Sequence, residues 1–269
     1  MMTPLLAALV WSLPTMPQPI VRLDLASDSA RRVLVDREEG QYLGHVSTVL
    51  LGDGRTVLAV YPKGHGGGAI VLKRSPDGGR TWSERQPTPE SWKTSKECPS
   101  IHRLVDAAGK ERLVVWTGLF PARYSVSEDG GATWTELKDA AAGRPEGERW
   151  GGIVVMSSFE AGKKPGQAFA WFHDDGRFFR AGGKVTPTFT VYQVATEDGG
   201  LTWGAPRAIL ASDQVSICEP GTLRSPDGST IVMLLREESR RQRSQISWSK
   251  DEGEHWETPR ALPLTLTGD

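Results

Sequence analysis

Eight residues whose side chains suit holding an anion or moving a proton fall at the ends of strand-like runs. They are His45, Lys63, His65, His102, His173, Asp174, Glu219 and Arg236. Arginine and lysine pair with carboxylates, arginine in a two-pronged geometry, while imidazole and carboxyl groups exchange protons near neutral pH. Gathered in one place, they would suit binding and cleavage of an anionic sugar. Singly, each histidine reads more readily as a structural or solvated residue. The question is what fold would gather them.

A repeat supplies the answer. Ser75-Pro-Asp-Gly-Gly-Arg-Thr-Trp82 recurs as Ser127-Glu-Asp-Gly-Gly-Ala-Thr-Trp134 and Thr196-Glu-Asp-Gly-Gly-Leu-Thr-Trp203, with a degenerate copy, Ser249-Lys-Asp-Glu-Gly-Glu-His-Trp256. The aspartates, Asp77, Asp129, Asp198 and Asp251, are 52, 69 and 53 residues apart. An aspartate can accept hydrogen bonds from the N–H groups of its own turn, and glycine permits the positive φ such a turn needs. The tryptophan buries a large surface and offers an indole N–H, so it can anchor the turn. Apolar, β-branched runs flank the copies, among them Thr56-Val-Leu-Ala-Val60, Arg112-Leu-Val-Val-Trp116 and Ile231-Val-Met-Leu-Leu235. Short strands with one signature per ~50 residues predict the blades of an all-β propeller.

In an antiparallel blade the start of the first strand and the end of the second lie at the same edge. If first strands are innermost, these places converge on the central axis. The first unit offers His45 with Lys63 and His65, the second His102, the third His173 and Asp174, and the fourth Glu219 and Arg236.

The repeat resembles the Asp-box, or bacterial neuraminidase repeat (BNR), of the sialidase superfamily, and four copies cover about residues 40–260. Tyr42-Leu-Gly-His-Val-Ser-Thr48, Phe172-His-Asp-Asp-Gly-Arg177 and Cys218-Glu-Pro-Gly221 resemble a bacterial sialidase-like branch. The resemblance implies a six-bladed propeller with its active site at the centre of one face. It places the boxes on the periphery, between third and fourth strands, where Asp77, Trp82, Asp129, Trp134, Asp198, Trp203, Asp251 and Trp256 are structural. It implies retaining hydrolysis of an acidic glycan by an exo-α-sialidase type of glycosidase. Glu219 would assist a tyrosine nucleophile, and Arg236 would belong to a triad that binds the sugar carboxylate. The family's first arginine is replaced here by His45-Val-Ser, and the segment for its second arginine and acid aspartate reads Lys63-Gly-His65. Lys63 would therefore share the carboxylate with Arg236, His65 or Asp174 would donate the proton, and His45, His102 and His173 would line the substrate. Four units where that family builds six predict a chain cut short at its C-terminus, forming an open arc rather than a closed four-blade ring.

Two other functions fit the same residues. Pairs of histidine and tyrosine suit the proton abstraction of a polysaccharide lyase, and a propeller of this kind can bind glycans or proteins without cleaving them. The formal charge of −1 gives no reason to expect a nucleic-acid partner. No stretch reaches the ~20 apolar residues of a membrane-spanning helix. The expected partner is a carbohydrate, the expected state a monomer, and no cofactor or metal is expected: His173-Asp-Asp175 lacks convergent ligands. Cys98 and Cys218 read as two separate buried thiols, although one bridge between them is an alternative. The apolar run at residues 5–13 has two readings, a signal peptide or a poorly ordered tail, within a leading segment 1–20 that precedes a propeller domain at 21–269. The first places the protein outside the cell or in a periplasm, the second in the cytoplasm.

Overall fold

The computed structural model describes Asp24 and residues 27–262. The apolar run at 5–13 lies outside the described residues. Met1–Val33 form a separate unit, and every blade belongs to the unit that begins at Leu34.

Four antiparallel sheets follow one another along the chain, each a simple up-and-down meander. Blade I holds β1 (Ser47–Leu50), β2 (Val57–Pro62) and β3 (Ile70–Ser75). Blade II holds β4 (Ser100–Val105), β5 (Glu111–Thr117), β6 (Arg123–Ser127) and the short β7 (Lys138–Asp139). Blade III holds β8 (Ile153–Ala161), β9 (Ala168–Asp174), β10 (Thr190–Thr196) and β11 (Arg207–Ala211). Blade IV holds β12 (Ile217–Arg224), β13 (Ile231–Glu237), β14 (Gln245–Ser249) and β15 (Arg260–Ala261). Second strands carry long apolar runs that pack against the neighbouring blades. All seven residues of β9 are buried, and so are all but the first of β2 and β5. First strands β1, β4, β8 and β12 approach one another in that order, which makes them the inner strands of a propeller.

Each of the four boxes closes the turn after a third strand with the same bonds. In the second copy, Ser127 Oγ donates to Asp129 Oδ1 (2.8 Å), and Oδ1 also accepts the N–H of Thr133 (2.9 Å). Thr133 Oγ1 donates to Oδ2 (2.5 Å), and Trp134 Nε1 donates to Gly131 O (3.2 Å). In the degenerate copy His255 takes the threonine's place, its Nδ1 lying 2.7 Å from Asp251 Oδ2. Hydrogen bonds from the threonine or histidine at this position hold Asp77, Asp129 and Asp251 down to about 2. A Cβ on Gly131, at φ +86, would sit 2.4 Å from Leu58 of blade I, so only glycine fits that seam.

The boxes also join blades. Trp134 lies edge-on to Trp92 in the core between blades I and II, and Trp203 does the same to Trp116 between II and III. Trp256 meets Trp171 in the core between III and IV. Fully burying one large apolar side chain contributes on the order of 2–3 kcal/mol, so these seams carry much of the stability. Among the described residues three such cores join four blades, and none joins blade IV to blade I. The four sheets form a four-bladed propeller arrangement around the inner strands. Trp82 belongs to none of the three cores and lines a shallow depression with Val35, Leu43, Val46, Ala59 and Tyr61.

Candidate functional site

The inner strands are laced together by side chains that reach from blade to blade. Ser47 Oγ in β1 accepts the N–H of Ile101 in β4 (3.0 Å). From β4, Ser100 Oγ donates to Val155 O (3.0 Å), and His102 Nε2 bonds Met156 O in β8 (2.8 Å). From β8, Ser157 Oγ donates to Pro220 O in β12 (2.8 Å).

The backbone at these crossings is unusual. Ile153 pairs with His173 and Ser158 with Trp171, so the four residues 154–157 of β8 bulge opposite Phe172 alone. In β12, Cys218 pairs with Arg236 and Gly221 with Leu234, so Glu219 and Pro220 bulge opposite Leu235. Val154, Met156 and Glu219 consequently have φ of +46, +57 and +47, and His45 ahead of β1 has +51. For residues with a Cβ such backbone costs on the order of 1–3 kcal/mol each, and surrounding contacts must impose it. Bulges of this kind re-aim side chains.

Glu219 is the residue most clearly re-aimed. Its N–H donates to His173 Nδ1 (3.2 Å), and its Oε1 lies 2.9 Å from Arg236 Nη1. The other terminal nitrogen of Arg236 pairs with Glu238, two residues further along. Burial opposes the arginine's charge, yet Glu238 and Glu219 raise its pKa above the ordinary value. Glu238 Oε2 also accepts from Cys218 Sγ (3.4 Å).

The remaining predicted residues occupy distinct places. His173 is buried; burial and then the Arg236 charge push its ring down to about 3, so it stays neutral and accepts from Glu219. His102 stacks on Phe159, with ring centroids 5.0 Å apart, and burial lowers it to about 4. Asp174 is buried at 1 % exposure and caps a loop, accepting the N–H groups of Phe178 and Phe179. Burial pushes its carboxyl up, with those donors opposing. His45 and His65 come together: Nε2 of the first lies 3.3 Å from Nδ1 of the second, and Tyr42 packs against both rings. Lys63 pairs with Glu38 at 2.9 Å. The structure thus joins Glu219, Arg236 and His173 in one cluster and His45 with His65 in another, and turns His102 and Asp174 to partners of their own.

Two acidic groups at the axis escaped the sequence reading. Glu238 follows the alternation of a strand, i and i+2 with Arg236. Glu97, buried, accepts the N–H of Cys98 (2.9 Å) ahead of β4. Its signal was a near-symmetry: Glu97-Cys98-Pro99 before one inner strand and Cys218-Glu219-Pro220 within another. Both thiols are free and buried. Burial, then the Glu97 charge, pushes Cys98 up to about 12, with Glu219 also contributing; burial does the same for Cys218. Neither is a ready nucleophile. Among the described residues, no group of three or more His, Cys, Asp or Glu could hold a metal ion, and no helix is long and apolar enough to cross a membrane.

Solved structures share this architecture. A protein of unknown function from Dyadobacter fermentans aligns at TM-score 0.61 and 17% identity, over 87% of this chain and 72% of that one. The intramolecular trans-sialidase of Ruminococcus gnavus aligns at 0.53 and 14%, over 82% and 71%. The GH62 α-L-arabinofuranosidase of Coprinopsis cinerea aligns at 0.54 and 16%, over 84% and 71%. At these identities the likeness establishes the propeller fold. Neither a family model nor a curated protein matches the sequence.

Proposed function

We propose that the central face is a glycan site of the glycoside hydrolase kind, in which Glu219 acts on the sugar. The observation that carries this reading is how Glu219 is held. A bulge gives it left-handed backbone, His173 takes its N–H, Arg236 pairs its carboxylate, and 41 % of its side chain remains exposed at the axis. Retaining hydrolysis needs a carboxylate beside the anomeric carbon and a second group to move the proton. Propeller enzymes with glycan-cleaving names share the fold, which adds weight to the general form.

In its sialidase form the reading assigns Arg236 and Lys63 to the sugar carboxylate and His65 or Asp174 to the proton. The adjacency of Glu219 and Arg236 matches the family's pairing, but Glu238 occupies the arginine's other terminal nitrogen, which counts against a sugar carboxylate there. The backbone donors on Asp174 favour His65, and Glu97 is a further carboxyl group at the axis. One observation favours a second reading, a lyase: Tyr42 packs on the His45–His65 pair, a grouping suited to proton abstraction. Elimination would leave a product with a new C=C bond that absorbs ultraviolet light, which hydrolysis does not.

The test is turnover of a glycan panel by the wild-type chain and by Glu219→Gln, with folding checked by circular dichroism. Loss of at least ~100-fold is expected from removing a group of this kind. Undiminished turnover by a folded Glu219→Gln would end the assignment.

A further inference from the structure

The charges at the axis point to a narrower substrate class. Arg236 has both terminal nitrogens committed, Nη1 to Glu219 and Nη2 to Glu238. Its side chain is 20 % exposed, whereas each of the two glutamates is 41 % exposed. An approaching ligand therefore meets two carboxylates before it meets the guanidinium. The arginine's remaining nitrogen, Nε, is buried and has no hydrogen-bond partner. Two further cations, Lys63 and Arg177, are also paired with carboxylates. Lys63 pairs with Glu38, which Arg85 also holds, and Arg177 pairs with Asp175 at 2.8 Å. Glu97 adds another carboxyl group beside Cys98.

We infer that the glycan this site takes is uncharged, and that Glu238 is the residue that decides it. The inference rests on the reading of the axis as a glycan site. A sugar carboxylate seated on Arg236 would face Glu219 and Glu238 at close range and would have to displace one of them. Like charges repel most strongly where water is excluded. Sugar hydroxyls, in contrast, donate to carboxylates and gain charge-assisted hydrogen bonds from the same two residues. Glu238 directly follows β13, across the hairpin from the β12 bulge that aims Glu219. It can neutralise Arg236 without occupying the place of the residue proposed to act on the sugar.

The experiment has two arms, each run on the folded chain and on Glu238→Gln, with Glu238→Asp as a second variant should the first fail to fold. Calorimetric titration compares uncharged arabino- and galacto-oligosaccharides with carboxylated ones, sialyllactose and oligogalacturonate. The wild type should bind an uncharged ligand at least tenfold more tightly than any carboxylated one. Glu238→Gln should narrow that gap at least fivefold by gaining affinity for the carboxylated ligands. In the second arm phenylglyoxal modifies arginines and peptide mapping reads Arg236. Its modification should be several-fold faster in Glu238→Gln than in the wild type. Tight wild-type binding of a carboxylated glycan, lost in Arg236→Gln, would overturn the inference and leave the glycan reading standing. Equal phenylglyoxal rates alongside intact glycan binding would overturn it as well. Binding of neither class would bring down the glycan reading and the inference with it, whatever the phenylglyoxal rates.

Discussion

The rim and the axis of this propeller are built on opposite plans. At the rim one turn is made four times with the same bonds: a hydroxyl on the aspartate, the aspartate on a backbone N–H, an indole on a glycine carbonyl. Every partner lies within five residues. At the axis a serine hydroxyl recurs at each crossing of inner strands, but the backbone atom it meets differs, and His102 and His173 add bonds made once each. The bonds join residues 46 to 63 positions apart, and four residues with a Cβ have left-handed backbone. Local, redundant chemistry holds the blades, and long-range, strained chemistry shapes the face where a ligand can bind.

Variants can break this contrast in order of expected effect. Trp203→Ala removes a buried aromatic from the seam between blades II and III and should destabilise by about 3–5 kcal/mol in denaturant unfolding. His173→Phe leaves the Glu219 N–H without its acceptor and should cost about 1–3 kcal/mol. Its effect on turnover should exceed what the lost stability explains, since the backbone of Glu219 is freed. Trp82→Ala, on the one box whose tryptophan joins none of the three cores, should cost less than about 1 kcal/mol. A Trp82 effect as large as that of Trp203 would mean that blade I packs on something in solution.

Acid separates the two regions as well. The ring of His173 stays neutral down to about 3, against an ordinary value of 6.5. Below 6.5 the unfolded chain therefore takes up a proton that the folded chain refuses. Stability falls with pH from there to about 3, and His102, held near 4, contributes in the same window. The box aspartates, lowered from 3.8 to about 2, lend stability that is fully present above 3.8 and lost as pH falls toward 2. Thermal melts should begin to weaken near pH 6 in the wild type, and more gently in His173→Phe. A melting temperature flat from pH 7 to 4 would contradict the buried neutral histidines.

The contrast also explains what could be read from the sequence. The boxes and strands were legible because turn chemistry is local: hydroxyl, Asp, Gly and Trp sit at fixed offsets and satisfy one another. Glu219 and Arg236 were legible because antiparallel pairing within one hairpin sets Cys218 opposite Arg236. The bulge at 154–157 was not, because Val154 and Met156 carry no glycine or proline to announce a left-handed backbone that neighbouring strands impose. Asp174 was read as facing the axis, but the donors that hold it lie four and five residues ahead in a loop without a recognisable pattern. The sharing of Arg236 between two glutamates depends on side-chain directions at the end of a strand, which spacing alone leaves open.

The central claim is that chemistry belongs to the axis and stability to the rim. The most direct measurement is glycan turnover per folded molecule, alongside unfolding free energy, for Glu219→Gln and for Asp129→Ala. The account predicts that Glu219→Gln loses at least ~100-fold in turnover with little loss of stability. Asp129→Ala should lose about 1–3 kcal/mol of stability while its folded fraction turns over at the wild-type rate. Full turnover in Glu219→Gln, or turnover abolished in a folded Asp129→Ala, would contradict it.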